Sequence, residues 1–160
     1  GLGQKFPQNS LVGARGPYGI YATAALDSSP LNVWFQKAYR DRYKTQPTQS
    51  AYQYAQGVLA AKYAYDKAMK ANGGKFPSTE QVIAALERAE YPSISGTVKM
   101  AIGKGHQAIT PDHWGTLAWD AQLKEPIVKD VVKFPAECVN PPDNIDSVTW
   151  IQGGMKGAKC

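Results

Sequence analysis

The sequence predicts a mixed α/β chain in the order strand, three helices, several strands. Three observations carry that prediction. Apolar residues recur at helical spacing in three stretches between Leu31 and Ala89. From Tyr91 the pattern changes to short apolar pieces separated by Gly and Pro, which is how strands and their turns read. A length of 160 residues with 43% hydrophobic content can furnish a core, which argues against intrinsic disorder and against a disulfide-held miniprotein. No uninterrupted apolar run reaches the roughly 20 residues that a membrane-spanning helix needs, in keeping with a mean hydropathy of -0.40.

The first element, residues 10–14, is a short apolar run that breaks into Gly13, Gly16, Pro17 and Gly19, a strand ending in a loop. Ser28 and Ser29 then offer a capping hydroxyl ahead of Pro30, whose fixed φ suits the first helical position. Leu31, Phe35, Ala38 and Tyr39 follow at helical spacing, predicting a helix that ends near Tyr43 and Lys44. Pro47 separates it from a longer helix, whose apolar stripe includes Ala51, Tyr54, Val58, Leu59 and Met69 and which stops at Asn72-Gly73-Gly74. Ser78 and Gln81 have capping-box spacing, predicting a third helix through Val82, Ile83, Leu86 and Ala89. Strands are expected over residues 96–102, 114–123 and 127–134, with alternation clearest from Thr116 to Trp119. The tail from Pro135, with Pro141-Pro142 and Gly153-Gly154, reads as irregular structure over a surface. In this order the first strand has no sequence neighbour to pair with, and an isolated strand is not stable.

Lys plus Arg number 18 against 13 Asp plus Glu, a formal charge of +5. The basic residues are scattered among acids, as in Arg40-Asp41-Arg42 and Glu87-Arg88, and no helix-turn-helix, zinc-finger or aromatic RNA-binding signature accompanies them. No nucleic-acid partner is expected. Cys138 and Cys160 are the only cysteines; they cannot make a four-ligand zinc site alone, but one disulfide can form in an oxidising compartment. The carboxylate of Glu137 beside Cys138 raises the thiol pKa, which argues against a cysteine nucleophile.

Little supports an enzyme. The two histidines, His106 and His113, lie near Asp112 and Asp120, but their spacing matches no established metal-ligand pattern, and neither metal nor cofactor is expected. No nucleophile elbow, P-loop or dinucleotide fingerprint is present. A small metal-dependent hydrolase using His106, Asp112 and His113 is the rival from a different class. Tyrosines are more informative. Tyr52 and Tyr54 stand near the start of the long helix, where its positive dipole end can face a ligand, and Tyr18 and Tyr21 flank the Gly-rich loop that holds Arg15. Tyr63 and Tyr65 are read as core.

Several stretches carry a resemblance. They run from Asn32-Val33-Trp34-Phe35-Gln36-Lys37-Ala38-Tyr39 through Tyr43-Lys44 and Gln46-Pro47 to Tyr52-Gln53-Tyr54-Ala55. They continue with Ala64-Tyr65-Asp66-Lys67-Ala68, with Gln81-Val82-Ile83-Ala84-Ala85-Leu86-Glu87, and with Ser93-Ile94-Ser95-Gly96-Thr97-Val98-Lys99-Met100. In order and spacing this resembles the C-terminal part of the type I periplasmic solute-binding proteins, the branched-chain amino-acid-binding family that feeds ABC importers. The resemblance implies an α/β fold of two Rossmann-like lobes joined by hinge crossovers, of which this chain holds C-terminal parts. Residues 1–27 would end one lobe and residues 28–92 supply helices of the other. Residues 93–134 would return to the first lobe, and residues 135–160 form the tail. The partners of the first strand would then lie in an N-terminal half of the same protein, absent or supplied as a separate chain. Residues 1–7 show neither an initiator Met nor a signal peptide, which fits a chain that begins inside a longer one.

The implied function is capture of a small polar solute between closing lobes, for delivery to an ABC permease from the periplasm; an extracellular sensor of the same fold is the alternative. Family members that bind amino acids hold the ligand's ammonium with an acidic residue where this chain has Arg15. A guanidinium there favours a carboxylate-bearing ligand; a competing reading has Arg15 in solvent or paired with an acid. By match to the family's cleft, Arg15, Tyr18, Tyr52 and Tyr54 are the implied ligand-binding residues, while Trp34 is read as packed. A Cys138–Cys160 bridge would fit an exported protein and pin the tail; a bridge to a cysteine elsewhere in the protein is the competitor.

Overall fold

A computed structural model of the chain describes residues 3–16, 18–19, 26–101 and 107–160. After a 3-10 turn at Gly3–Lys5, β1 (Leu11–Arg15) is followed by α1 (Pro30–Tyr43), α2 (Gln49–Ala71) and α3 (Thr79–Leu86). The strands β2 (Glu90–Ser93), β3 (Gly96–Met100), β4 (Ala108–Ile109), β5 (Asp112–Asp120) and β6 (Glu125–Phe134) come next, then the short helices α4 (Ala136–Val139) and α5 (Ser147–Gln152). The tail is therefore less irregular than its Pro and Gly content suggests.

Local chemistry accounts for the helix limits. Pro30 occupies the start of α1, but Ser29 at its N-cap makes no side-chain capping bond. Instead Asp27 takes the role of local acceptor, its Oδ1 receiving the Ser29 N–H at 3.0 Å. Lys44 closes α1 in the left-handed region, φ 58°, and its N–H donates to the Arg40 carbonyl. In α2 the Thr48 hydroxyl accepts the Ala51 N–H at 3.3 Å. Both halves of the capping box at α3 are formed between Ser78 and Gln81.

Two antiparallel sheets organise the strands, with orders β1-β5-β6 and β2-β3-β4. The first strand is thus no orphan: Leu11 to Arg15 pair with Thr116 to Asp112, about a hundred positions away along the chain. Nothing local signals such a partner, which is why the sequence order alone left it unpaired. Among the described residues the other edge of β1 is open. Gly13 faces Trp114 across this pair, and a Cβ at Gly13 would lie 2.6 Å from the indole ring, so only glycine fits. The β5–β6 pairing shifts register between Trp114 and Thr116, where a Cβ on Gly115 would meet Val128 at 2.4 Å.

The second sheet packs on the helices, with α2 as the spine. Tyr52 joins Tyr18 and Ile94 in one buried cluster, packed by Leu31, Phe35, Ala55 and Leu59. Further along α2, Ala64 and Ala68 meet Ala85 of α3, and Tyr63 stacks on Tyr91 of β2 with ring centroids 5.3 Å apart. Tyr65 leaves the core reading: it is 40% exposed and covers Phe76 instead. Trp34 is also corrected, at 62% exposed on the outer face of α1. In the tail, Cys138 and Cys160 are joined by a disulfide. No helix of the described residues is long and apolar enough to cross a membrane.

Candidate functional site

A cleft of about 720 Å³ opens between the β1-β5-β6 sheet and the helical body. Its floor is Val12, Gly13 and Ala14 of β1; one wall is the α1–α2 connection from Lys44 to Gln49, and the other is the β5–β6 turn from Leu123 to Pro126. Small residues on β1 leave the space, and Gly19 brings the chain to the mouth of α2, where its Cβ position would lie 3.5 Å from the Gln49 nitrogen. Such a concave site with a few polar groups is where small ligands bind.

The electrostatics are simple. Among the described residues the charged ones that line it are Lys44, Lys124 and Glu125. Glu125 is already engaged: Arg40 of α1 donates through Nη1 to Oε1 at 2.6 Å and through Nη2 to Oε2 at 3.0 Å. Lys44 Nζ turns back to the Asp41 carbonyl at 2.7 Å. The first amides of α2, at Gln49 and Ser50, precede its hydrogen-bonded ladder, so the positive end of a helix of 23 residues faces the cleft. The asymmetry favours an anion.

None of the four residues expected to meet a ligand lines this cavity. The structure sets Arg15 at the end of β1, where its Nη2 donates to Oδ1 of Asn140, a neutral side chain that is neither solvent nor an acid. Tyr18 is 5% exposed and its hydroxyl donates to Oε1 of Gln56 at 2.5 Å. Burial pushes its pKa up, partly opposed by that hydrogen bond and by the charge of Arg15. Tyr52 is fully buried; its hydroxyl donates to Oδ1 of Asn32 at 2.9 Å and accepts from Nε2 of Gln36 at 3.1 Å. Tyr54, two residues on and therefore on the opposite side of α2, is 80% exposed. The start of the long helix does meet the cleft, at Thr48 and Gln49 and not through the tyrosines.

His106 and Tyr21 lie outside the described residues. Asp112 and His113 are neighbours on β5, so their side chains leave opposite faces of the sheet. Among the described residues no group of three or more His, Cys, Asp or Glu is placed to hold a metal. His113 is 3% exposed, and its pKa is pushed down by burial and by Lys133, with Asp112 opposing. Lys124, Thr48 and Gln49 line the cleft without having been singled out in the sequence. Pro47 ahead of a capping Thr was a usable signal for the helix start; Lys124 sits in a turn, φ 53°, with no signal of its own.

The fold is shared with known proteins. An ABC-type branched-chain amino acid transporter protein from Rhodopseudomonas palustris superposes with a TM-score of 0.66 at 19% identity, over 89% of this chain and 35% of that one. A solute-binding protein from another strain of that species, solved with 3,4-dihydroxybenzoic acid, gives 0.59 at 19% identity over 84% and 34%. A third, solved with p-hydroxybenzoic acid, gives 0.57 at 17% over 81% and 32%. The chain therefore spans about a third of the length of these structures. No curated protein sequence matches it. A family model described as periplasmic binding protein matches residues 7–118, and the chain belongs to that family.

Proposed function

We propose that this chain is part of the solute-binding component of an ABC transport system, and that its solute is a small carboxylate-bearing molecule. The observation that carries the proposal is the charge asymmetry of the cleft, where the one acidic lining residue, Glu125, is neutralised by Arg40. We assign the ligand carboxylate to Lys124 and the first amides of α2, a pairing of charge and oriented dipole that suits an anion. Aromatic acids are the first class to try, because two proteins of the same fold were solved with hydroxybenzoic acids. Arg15 and Tyr18 frame the cleft from behind: Arg15 follows the three floor residues of β1, and Tyr18 precedes Gly19. In this reading Tyr52 holds the start of α2 in place and Tyr54 makes no ligand contact.

Binding without chemistry is the mechanism. The β1-β5-β6 sheet and the helical body act as two lobes that close over the solute, and the closed form is what a membrane permease recognises in the periplasm. The test is a titration of the isotopically labelled chain with p-hydroxybenzoate, 3,4-dihydroxybenzoate and leucine, followed by amide NMR. Shifts at Gly19, Gln49, Ser50 and Lys124 with the acids, weakened by Lys124→Ala, are expected. Unmoved amides at those positions up to millimolar acid would sink the carboxylate assignment.

A further inference from the structure

The chain leaves the β1-β5-β6 sheet at one end, and three segments do so side by side. Arg15, Asp112 and Phe134 are consecutive register partners across β1, β5 and β6. The first segment runs from Arg15 towards α1, the second connects β4 to Asp112, and the third leads from Phe134 into α4. Asn140, 3% exposed, touches all three. Its Nδ2 donates to the Thr110 carbonyl at 2.9 Å and to the Ala136 carbonyl at 2.7 Å, while its Oδ1 accepts from Nη2 of Arg15. A side-chain amide has two donor hydrogens and one carbonyl. Here each is used on a different segment. The Gly16 N–H adds a direct tie between the first and second segments, reaching the Pro111 carbonyl at 2.7 Å.

Chemistry in the tail fixes the pin. The Asn140 N–H donates to the Ala136 carbonyl at 3.0 Å, closing α4, and Cys138 within that turn is bonded to Cys160. The tail beyond lies against the second body, with Asp143 3.8 Å from Arg88.

We propose that Asn140 is the hinge pin of the two lobes. It is a positioning residue that holds the three connecting segments together, so that they pivot as one axis while the lobes move as rigid units. This rests on the lobe-closing reading given above. A buried amide is costly to leave unpaired, so each of its three bonds is favoured over an open state, and together they keep the three segments in register as a pivot requires. Arg15 then acts through Asn140, by anchoring the first segment to the other two.

The test is NMR-detected hydrogen exchange on the 160-residue chain without any solute, so that a failed benzoate titration and a failure here are separate results. In Asn140→Ala the Gly16 amide and the amides of residues 136–140 are expected to exchange on the order of tenfold faster, or more, as a set. Faster exchange confined to residues 136–140, with Gly16 unchanged, would reduce Asn140 to a local anchor of the tail and overturn the proposal. Arg15→Ala, at an exposed side chain, keeps the proposal falsifiable if the first variant does not fold. It should loosen Gly16 while leaving the Asn140 amide protected, and an unchanged Gly16 amide would equally overturn the pin.

Discussion

Arg40 and Glu125 form a two-point ion pair that joins α1 to the first residue of β6, across 85 positions of chain. Both partners retain solvent contact, with side-chain exposures of 40% and 22%, so the attraction is partly screened. The parallel N–H to O geometry still makes it stronger than an ordinary surface pair. A double-mutant cycle with Arg40→Ala and Glu125→Ala, read by urea unfolding at low salt, should give a coupling of about 1 kcal/mol. Strict additivity of the two variants would show that the pair does not tie the wall of the cleft to α1.

Tyr52 and Tyr54 were equal candidates by sequence and are opposites in the fold, one at 0% exposure and the other at 80%. Removing the Tyr52 hydroxyl deletes bonds to both Asn32 and Gln36 inside the core. Tyr52→Phe should therefore cost about 1–3 kcal/mol, while Tyr54→Phe should stay within about 0.5 kcal/mol. Denaturant midpoints of the two variants check this. A Tyr54→Phe loss as large as that of Tyr52→Phe would mean that the outer face of α2 is covered in solution.

These residues also show where sequence reading reaches its limit. Helix starts and stops are written in short-range chemistry, and Ser78 with Gln81, Lys44 and the Asn72-Gly73-Gly74 stop stand within a residue or two of where the pattern puts them. The partner of β1 is not written locally, because Gly13 and Trp114 meet only once the long helices have been inserted between them. The same holds for Arg15 and Asn140, 125 positions apart. Resemblance supplied the family and drew attention to the end of β1. It could not say that this arginine would be claimed by a tail asparagine, because a side chain's partner depends on everything that packs around it.

The Cys138–Cys160 disulfide closes a segment of 22 positions that contains α5 and the buried Trp150. Within it, Nε1 of Trp150 donates to the Lys156 carbonyl at 3.0 Å and Asp146 caps α5 through the Thr149 N–H at 2.9 Å, and the bridge adds a covalent closure to these ties and to the bonds of Asn140. In the chain-entropy description, opening a loop of this size lowers stability by about 3 kcal/mol. Thermal unfolding followed by tryptophan fluorescence, with and without reductant, should show a clear fall in midpoint on reduction. An unshifted midpoint would mean that the bridge does not restrain the unfolded chain in this way.

His113 supplies a pH dependence whose sign can be worked out. Burial and the facing Lys133 hold its pKa below the ordinary value of 6.5, with Asp112 opposing. Above pH 6.5 the ring is neutral in both folded and unfolded chains, and stability is fully present. As pH falls through 6.5 the unfolded chain takes up a proton that the folded chain refuses, so stability declines until the lower folded pKa is reached. The limiting slope for one proton is about 1.4 kcal/mol per pH unit. Asp41 and Glu80, whose pKa values are also lowered, act in the same direction but only at lower pH, below the ordinary carboxylate values, so they do not contribute between pH 7 and 5.5. Between pH 7 and 5.5 the chain should therefore lose stability through His113. His113→Gln should flatten that part of the profile, with His106 unchanged as the internal control. Equal slopes for the two proteins in urea unfolding over this range would show that the folded chain accepts the proton as readily as the unfolded one.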